Sequence, residues 1–162
     1  MALTTPTQYL NDSCSVEELN YALSRGAVGA TSNPVIVGNV LKKEMHLWRE
    51  RIAQEIRKHP TASETTIARH IYEAIAMHGA QLLLPVYERT DHKHGRFSIQ
   101  NDAALYNNPQ GIFNQAKHFS SLSPNMQVKI PCARAGFQTA AELTFQGVNL
   151  NVTVSFTVSQ VI

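Results

Sequence analysis

The sequence predicts an α/β fold in which strands and helices alternate five times along the chain and the strands form a parallel sheet. Three observations lead to this prediction. Short strand-like runs are separated by segments with the three- and four-residue apolar spacing of helices. Several of these helical segments begin with a capping residue or an Asn-Pro pair. The later strand-like runs alternate polar and apolar residues with a period of two.

Composition and charge are those of an ordinary soluble globular protein. The 162 residues are 43% hydrophobic and 16% charged, with a formal net charge of +2, so one domain over residues 1–162 is expected. Basic residues are scattered, which argues against nucleic acid as a partner. No apolar run approaches the ~20 residues of a membrane span, and residues 1–12 do not resemble a signal peptide. Two distant cysteines, Cys14 and Cys132, indicate a reduced, cytoplasmic protein.

The first strand–helix unit is predicted from turn and cap residues. Residues 7–10 form a strand-like run that stops at Asn11 and Asp12. Ser15 and Glu18 then have the spacing of a capping box, in which each side chain binds the backbone N–H of the other residue. The helix that follows should end at Gly26, because glycine readily adopts the conformation that terminates a helix.

The second unit begins with a strand over residues 27–31, and Asn33 can cap a helix that has Pro34 at its first position. A long apolar stripe follows and stops before Pro60. Residues 61–64 then have the pattern of another capping box, with Thr61 as the cap, ahead of a second stripe. The two stripes consist of Leu41, Met45, Trp48, Ile52 and Ile56, then Ile67, Ile71, Ile75 and Leu82.

The remaining elements follow a polar loop over residues 89–95. The pattern predicts strands over residues 96–100, 126–131 and 148–156, a helix from Asn108 and Pro109 onward, and a helix over residues 137–146.

Polar residues occupy one face of the later strands, although strands covered on both sides are usually apolar throughout. Gln127 and Lys129 share one face of their strand, and Asn151 and Thr153 share one face of the last strand. An antiparallel sheet with a solvated face would explain this alternation, but the intervening helices favour parallel connections. We therefore expect a (β/α)₈ barrel whose interior is polar near the carboxyl ends of the strands, where such barrels place their active sites. A solvated lysine is the usual alternative for Lys129, yet the polar neighbours favour a functional role.

Three sequence blocks resemble the transaldolase family. GATSNPVI (29–36) is similar to its TSNP signature, VKIPCARAG (128–136) to its lysine strand, and GVNLNVTVSFTVSQ (147–160) to the strand that follows. The resemblance implies a (β/α)₈ fold and transfer of a dihydroxyacetone unit between sugar phosphates in the pentose phosphate pathway. It also implies that neither a metal nor an organic cofactor takes part.

The resemblance assigns roles to five residues. Lys129 matches the lysine that forms a Schiff base with the keto-sugar, and Asp12 matches the aspartate that moves the proton during carbon–carbon cleavage. Asn33 matches an asparagine that binds the dihydroxyacetone part. Asn151 and Thr153 match residues that bind the intermediate and help to place the catalytic water. From the sequence alone, Asp12 could equally be a helix cap.

Gln100 departs from the transaldolase pattern, which has a glutamate at this position. A glutamine can orient water but cannot accept its proton. The related fructose-6-phosphate aldolases are similar in having glutamine here, so an aldol lyase is an alternative. The long helical insertion over residues 41–89 instead resembles the longer transaldolases.

The length also departs from the family, because a barrel of this type needs about 250 residues. About five of the eight strands are present, and the serine and arginine that bind phosphate in the family would lie beyond residue 162. Unpaired strand edges favour association with another chain. We therefore expect a fragment of a longer product, or a half-barrel that assembles as a homo-oligomer or with a partner chain, and that is inactive alone.

No metal site is expected from the histidines. His92 and His94 lie in a polar loop without a third ligand at a useful spacing, so solvated side chains are expected. His70 and His78 are expected at the surface or boundary of a helix. For Cys132 a small buried thiol is expected in preference to a reactive one.

Overall fold

The computed structural model describes residues 5–160, in which strands and helices alternate as predicted. The expectation about a signal peptide partly concerns residues 1–4, which lie outside this range. Among the described residues, no helix is both long and apolar enough to cross a membrane. The elements in chain order are β1 (Leu10–Asn11), α1 (Val16–Ser24), β2 (Gly29–Thr31), α2 (Pro34–Lys43), α3 (Met45–Lys58), α4 (Glu64–Arg89), β3 (Arg96–Gln100), α5 (Pro109–Ser120), β4 (Met126–Pro131), α6 (Arg134–Phe145) and β5 (Leu150–Thr153).

The strands are ordered β1-β2-β3-β4-β5 in a five-stranded sheet. β1 pairs with β2 in parallel, with Asn11 opposite Ala30, and β4 pairs with β5 in parallel. Sequential parallel strands joined by helices are the topology of part of a (β/α)₈ barrel. The chain divides between Phe97 and Ser98 into two compact units, which we call the first unit and the second unit.

In the first unit, the start of α1 is fixed by a serine cap and a distant carboxylate. The Ser15 hydroxyl accepts from the Glu18 backbone N–H at 3.3 Å and donates to Glu44 Oε1 at 2.7 Å. The capping box is therefore only half correct, because the Ser15 N–H donates to the Ser13 hydroxyl at 3.1 Å instead of to Glu18. The Glu18 carboxylate instead interacts with Ser13 and Lys43, and both interactions lower its pKa.

The single helix suggested by the first apolar stripe is two helices. α2 ends at Lys43 and α3 begins at Met45, and both meet at the buried Glu44. The N-terminus of α2 follows the prediction, because Asn33 caps it with Pro34 at the first position.

The cap of α4 differs from the prediction by two residues. Ser63, and not Thr61, accepts from the backbone N–H of Thr66 at 3.2 Å, so Glu64 is the first residue of the helix. The buried side of α4 contains Ile71 and Ile75 of the predicted second stripe, but it continues with Leu83, and the predicted Leu82 is half-buried. Gly79 lies on this side, and a methyl group there would come within 2.5 Å of the Phe97 ring. α4 therefore packs closely against Phe97, the first apolar residue of β3.

In the second unit, α5 and α6 cover the apolar face of the sheet. Asn108 caps α5 and Pro109 occupies its first position, as predicted. Ile112 and Phe119 of α5, Leu143 of α6 and Val128 of β4 are at most 1% exposed. The predicted strand over residues 148–156 shortens to β5, and Val154 after it has a φ of 65°, which interrupts extended backbone.

Candidate functional site

The second unit contains a polar face formed by β3, β4 and β5. Val128 and Ile130 on β4 are fully buried under the helices, whereas Gln127 and Lys129 on the opposite face are only half-buried. The sequence alternation therefore predicts correctly which side chains of β4 avoid the core.

Lys129 lies opposite Asn151 in the register of β4 with β5, and Pro131 lies opposite Thr153. On the other side of β4, the backbone N–H of Asn101 donates to the Lys129 carbonyl at 3.0 Å. The end of β3 therefore adjoins Lys129, and Gln100 is the last residue of that strand. Four predicted site residues, Lys129, Gln100, Asn151 and Thr153, are thus on neighbouring strands of one unit.

Hydrogen bonds link the three strands across this face. The buried Ser98 hydroxyl donates to Gln127 Oε1 at 2.8 Å, and Gln127 Nε2 donates to the Leu150 carbonyl at 3.0 Å. Asn151 Nδ2 reaches the Ser98 hydroxyl at 3.4 Å. This network fixes the orientation of the Asn151 amide beside Lys129. The alternation in the sequence placed Gln127 on the polar face, but it gave no role to Gln127 or Ser98, because their contact depends on strand register.

Asn101 follows β3 and is 2% exposed. Its Nδ2 donates to the Ile112 carbonyl at 3.1 Å, which ties the end of β3 to α5. Its buried Oδ1 has no hydrogen-bond partner. Asn101 therefore holds the strand end that carries Gln100.

Cys132 continues the pairing of β4 with β5, because its N–H donates to the Thr153 carbonyl at 2.7 Å. Its thiol is half-buried and lies 3.5 Å from the Gln160 carbonyl. The prediction of a buried thiol is therefore wrong for Cys132, because the short β5 leaves this end of the sheet partly open. Cys14 in the first unit is the buried cysteine.

Asp12 and Asn33 belong to the first unit. Asp12 is exposed directly after β1. Asn33 Oδ1 accepts from the Ile36 N–H at 2.9 Å, so its oxygen is used as the cap of α2 while its NH₂ group is still able to donate.

Two further polar groups lie at the carboxyl ends of β1 and β2. The Asn11 Nδ2 and the Ser32 hydroxyl are buried and have no hydrogen-bond partner. Unsatisfied buried polar groups are rare, and a catalytic role or a bound water or ion is among their explanations. Neither residue was predicted from the sequence to belong to the site. The signal that could have found them is their position, because polar residues at the carboxyl ends of strands are typical of barrel active sites.

Comparison with known proteins gives one consistent result. The family described as Transaldolase/Fructose-6-phosphate aldolase matches residues 9–162. The transaldolase of Thiobacillus denitrificans is 32% identical over 141 residues, which cover 83% of this chain and 37% of that protein. The transaldolase 2 of Streptomyces avermitilis is 30% identical over 82% of this chain and 36% of its own length.

A longer match is found with the transaldolase of Campylobacter jejuni, which is 29% identical over 94% of this chain and 45% of that protein. The chain thus spans less than half the length of these relatives. The region matched by the family, residues 9–162, contains all five strands of the sheet, including the lysine strand β4. By this match and this fold, the chain belongs to the transaldolase/fructose-6-phosphate aldolase family.

Proposed function

We propose that this chain provides the Schiff-base site for transfer of a dihydroxyacetone unit from a keto-sugar phosphate to an aldose phosphate, with Lys129 as the nucleophile. The observation that carries the proposal is the position of Lys129 opposite Asn151 on a polar sheet face, in a member of this family. The relatives are named transaldolases, which supports a transferase. The expected setting is sugar-phosphate metabolism of the pentose phosphate pathway in the cytoplasm.

The proposed chemistry begins with the neutral amine of Lys129. Its Nζ attacks the ketone carbon of the donor sugar, and the ketone oxygen leaves as water to give an iminium ion. The bond between the carbon attached to the iminium carbon and the following, hydroxyl-bearing carbon then breaks. Its electron pair forms a double bond to the former iminium carbon while the iminium π electrons move to nitrogen, and the hydroxyl group gives up its proton as the aldose phosphate leaves. The retained three-carbon enamine adds to the carbonyl carbon of the acceptor, and water finally hydrolyses the new Schiff base.

Neighbouring groups have supporting roles in this proposal. Asn151 and Thr153 bind hydroxyl groups of the intermediate, and the link from Ser98 to Asn151 supports an oriented amide. Asp12 accepts the hydroxyl proton released on cleavage and returns it to the acceptor. Asn33 donates from its NH₂ group to the dihydroxyacetone part. The roles of Asp12 and Asn33 are supported by the family resemblance and by their positions after β1 and β2.

Gln100 favours a second candidate function, an aldolase that releases dihydroxyacetone to water. Its position at the end of β3, beside the lysine strand, supports a role in orienting the water that hydrolyses the Schiff base. Because glutamine does not accept the proton of that water, hydrolysis needs another base. Transfer and hydrolysis thus compete for the same enamine intermediate.

The two functions are separated by supplying fructose 6-phosphate with and without an aldose phosphate acceptor and measuring release of glyceraldehyde 3-phosphate. A transferase releases it in amounts that depend on the acceptor, whereas a lyase releases it without one. Lys129→Arg is expected to abolish either activity, and Lys93→Arg, in the exposed loop, is expected to retain it. Measurable activity of the wild type that is unchanged in Lys129→Arg would contradict the proposal.

A further inference from the structure

Three side chains with metal-binding atoms converge in the first unit, where α3 packs on α4. Glu55 lies on α3, His59 caps the end of α3, and His70 lies on α4. His70 Nδ1 is 3.0 Å from Glu55 Oε1, and His59 Nε2 is 3.3 Å from the same oxygen. One ligand atom from each residue lies within 4.8 Å of the other two.

The local geometry explains why the three residues meet. Glu55 and His59 are four residues apart, so both side chains lie on one helix face. His70 comes from the next helix, and its ring is tilted by 68° to that of His59, with the ring centroids 5.0 Å apart. The rings are thus not stacked, and a nitrogen of each points toward the same carboxylate oxygen.

Burial of Glu55 gives the cluster its chemical character. The Glu55 side chain is 10% exposed, and a carboxylate removed from water needs a positive partner. The two imidazole rings lie within 3.3 Å of its Oε1. The nearby Arg57 is paired with Glu50 at 2.7 Å, so its charge is already partnered on the exposed side of the helix.

We propose that Glu55, His59 and His70 bind one Zn²⁺ ion. Zinc coordinates imidazole nitrogen and carboxylate oxygen at about 2.0–2.2 Å in tetrahedral geometry, which corresponds to about 3.3 Å between ligand atoms. The two distances to Glu55 Oε1 already have this size. The ion takes the place of the hydrogen bonds to the carboxylate: each neutral imidazole coordinates through the nitrogen that faces Glu55 and carries its proton on the other ring nitrogen. Water fills the fourth position.

This site shares no residue with the proposed transfer reaction. An absence of zinc binding and an absence of transfer activity would therefore be separate results. It also differs from the expectation, drawn from the sequence, that the chain has no metal site. In the sequence, His92 and His94 stand out as possible metal ligands because they are close along the chain. The three residues of the present cluster become neighbours only when α3 packs on α4.

The test is titration of the chelator-treated chain with ZnCl₂ by calorimetry, with Co²⁺ as a spectroscopic substitute. We expect one Zn²⁺ per chain and the intense visible absorption of tetrahedral Co²⁺. His59→Gln and His70→Gln should each weaken binding by at least about tenfold. His46→Gln is the matched control, because His46 is an exposed histidine of α3 outside the cluster.

A second readout is thermal unfolding, because an ion held by α3 and α4 should raise the melting temperature of the wild type and of His46→Gln only. His59 is the more exposed of the two histidines, so His59→Gln should fold normally in the presence of chelator. Absence of Zn²⁺ binding by the folded chain would overturn the proposal. Binding that is unchanged in a folded His59→Gln/His70→Gln double variant would overturn it as well.

Discussion

Cys14 lies in the core of the first unit with 1% of its surface exposed. Burial raises the pKa of its thiol from 9.0 to about 12, and the nearby Glu44 and Glu18 carboxylates act in the same direction. The thiol therefore stays protonated in the folded chain at pH values where an unfolded chain ionises.

This difference predicts a loss of stability at alkaline pH. Above pH 9 the unfolded chain binds fewer protons at Cys14 than the folded chain, so the free energy of unfolding falls as pH rises toward about 12. The slope from one such group is at most about 1.4 kcal/mol per pH unit. This slope is measured by urea unfolding of the wild type, Cys14→Ala and Cys132→Ala at pH values from 9 toward 12. Only Cys14→Ala should show a shallower decline, and equal slopes in all three proteins would contradict this account.

Single residues of the site were predictable to different degrees. The placement of Lys129 and Asn151 on the polar face was predictable because alternation along a strand assigns each side chain to a face. The contact between Ser98 and Gln127 could not, because it depends on how β3 and β4 are aligned. The buried amide of Asn11 was also missed, because the first strand was predicted to end before it, whereas β1 includes it.

At the scale of elements, the bond between Ser15 and Glu44 joins the start of α1 to the junction of α2 and α3. Ser15→Ala removes a helix cap and leaves a buried carboxylate oxygen without its closest hydrogen-bond donor. Together these losses should lower the free energy of unfolding by about 2–3 kcal/mol. Ser63→Ala removes an exposed cap of α4 and should cost about 1 kcal/mol. Urea denaturation compares the two variants, and an equal loss in both would show that Glu44 contributes nothing through Ser15.

Gly136 allows α6 to begin close to the end of β4. A methyl group at this position would lie 2.1 Å from the Pro131 carbonyl oxygen, so the backbone would have to move. Gly136→Ala should therefore destabilise the chain by about 1–3 kcal/mol. Gly38 on α2 has nothing within 4 Å of such a methyl group, and Gly38→Ala should stabilise by about 0.5–1 kcal/mol. Thermal melting of both variants tests the difference in sign, and destabilisation by both would contradict it.

Elements were predictable where their boundaries are set by local chemistry. Two helix starts are set by residues adjacent in the sequence: a capping asparagine followed by a proline, at Asn33-Pro34 for α2 and at Asn108-Pro109 for α5. The break at Glu44 was missed because the apolar stripe continues across it, and the buried glutamate is satisfied by a residue 29 positions away. The cap of α4 was placed two residues early because Thr61 and Ser63 are both good caps.

At the scale of the whole molecule, β5 is the last strand of the sheet formed by residues 5–160. Apolar side chains are exposed along and beyond it: Val152 is 39%, Val154 52% and Phe156 85% exposed. Because unpaired edges with exposed apolar residues pair with other chains, we expect association that increases with protein concentration.

Light scattering coupled to size-exclusion chromatography tests this association. The double variant Val152→Lys/Phe156→Lys should shift the chain toward the monomer, because charge at an edge opposes pairing. Phe145→Lys is the control, since Phe145 is 92% exposed on α6 rather than at the strand edge. A wild type that stays monomeric at every concentration would contradict the prediction, as would equal effects of both variants.

The fold class was predictable because strand–helix alternation and family blocks extend along the whole chain. The three relatives named above are longer than this chain, since the match covers 36–45% of their length. The division of the chain after Phe97 was not predicted, because neither composition nor a linker marks it in the sequence.

The most direct test of the central claim is borohydride reduction in the presence of dihydroxyacetone, followed by peptide mass mapping. Reduction converts a Schiff base into a stable amine, so the modified lysine can be identified. We predict one adduct, on Lys129, which is absent in Lys129→Arg and retained in Lys93→Arg. A chain that is folded by circular dichroism but yields no adduct on Lys129, or yields adducts spread equally over its lysines, would contradict the assignment of Lys129 as the nucleophile.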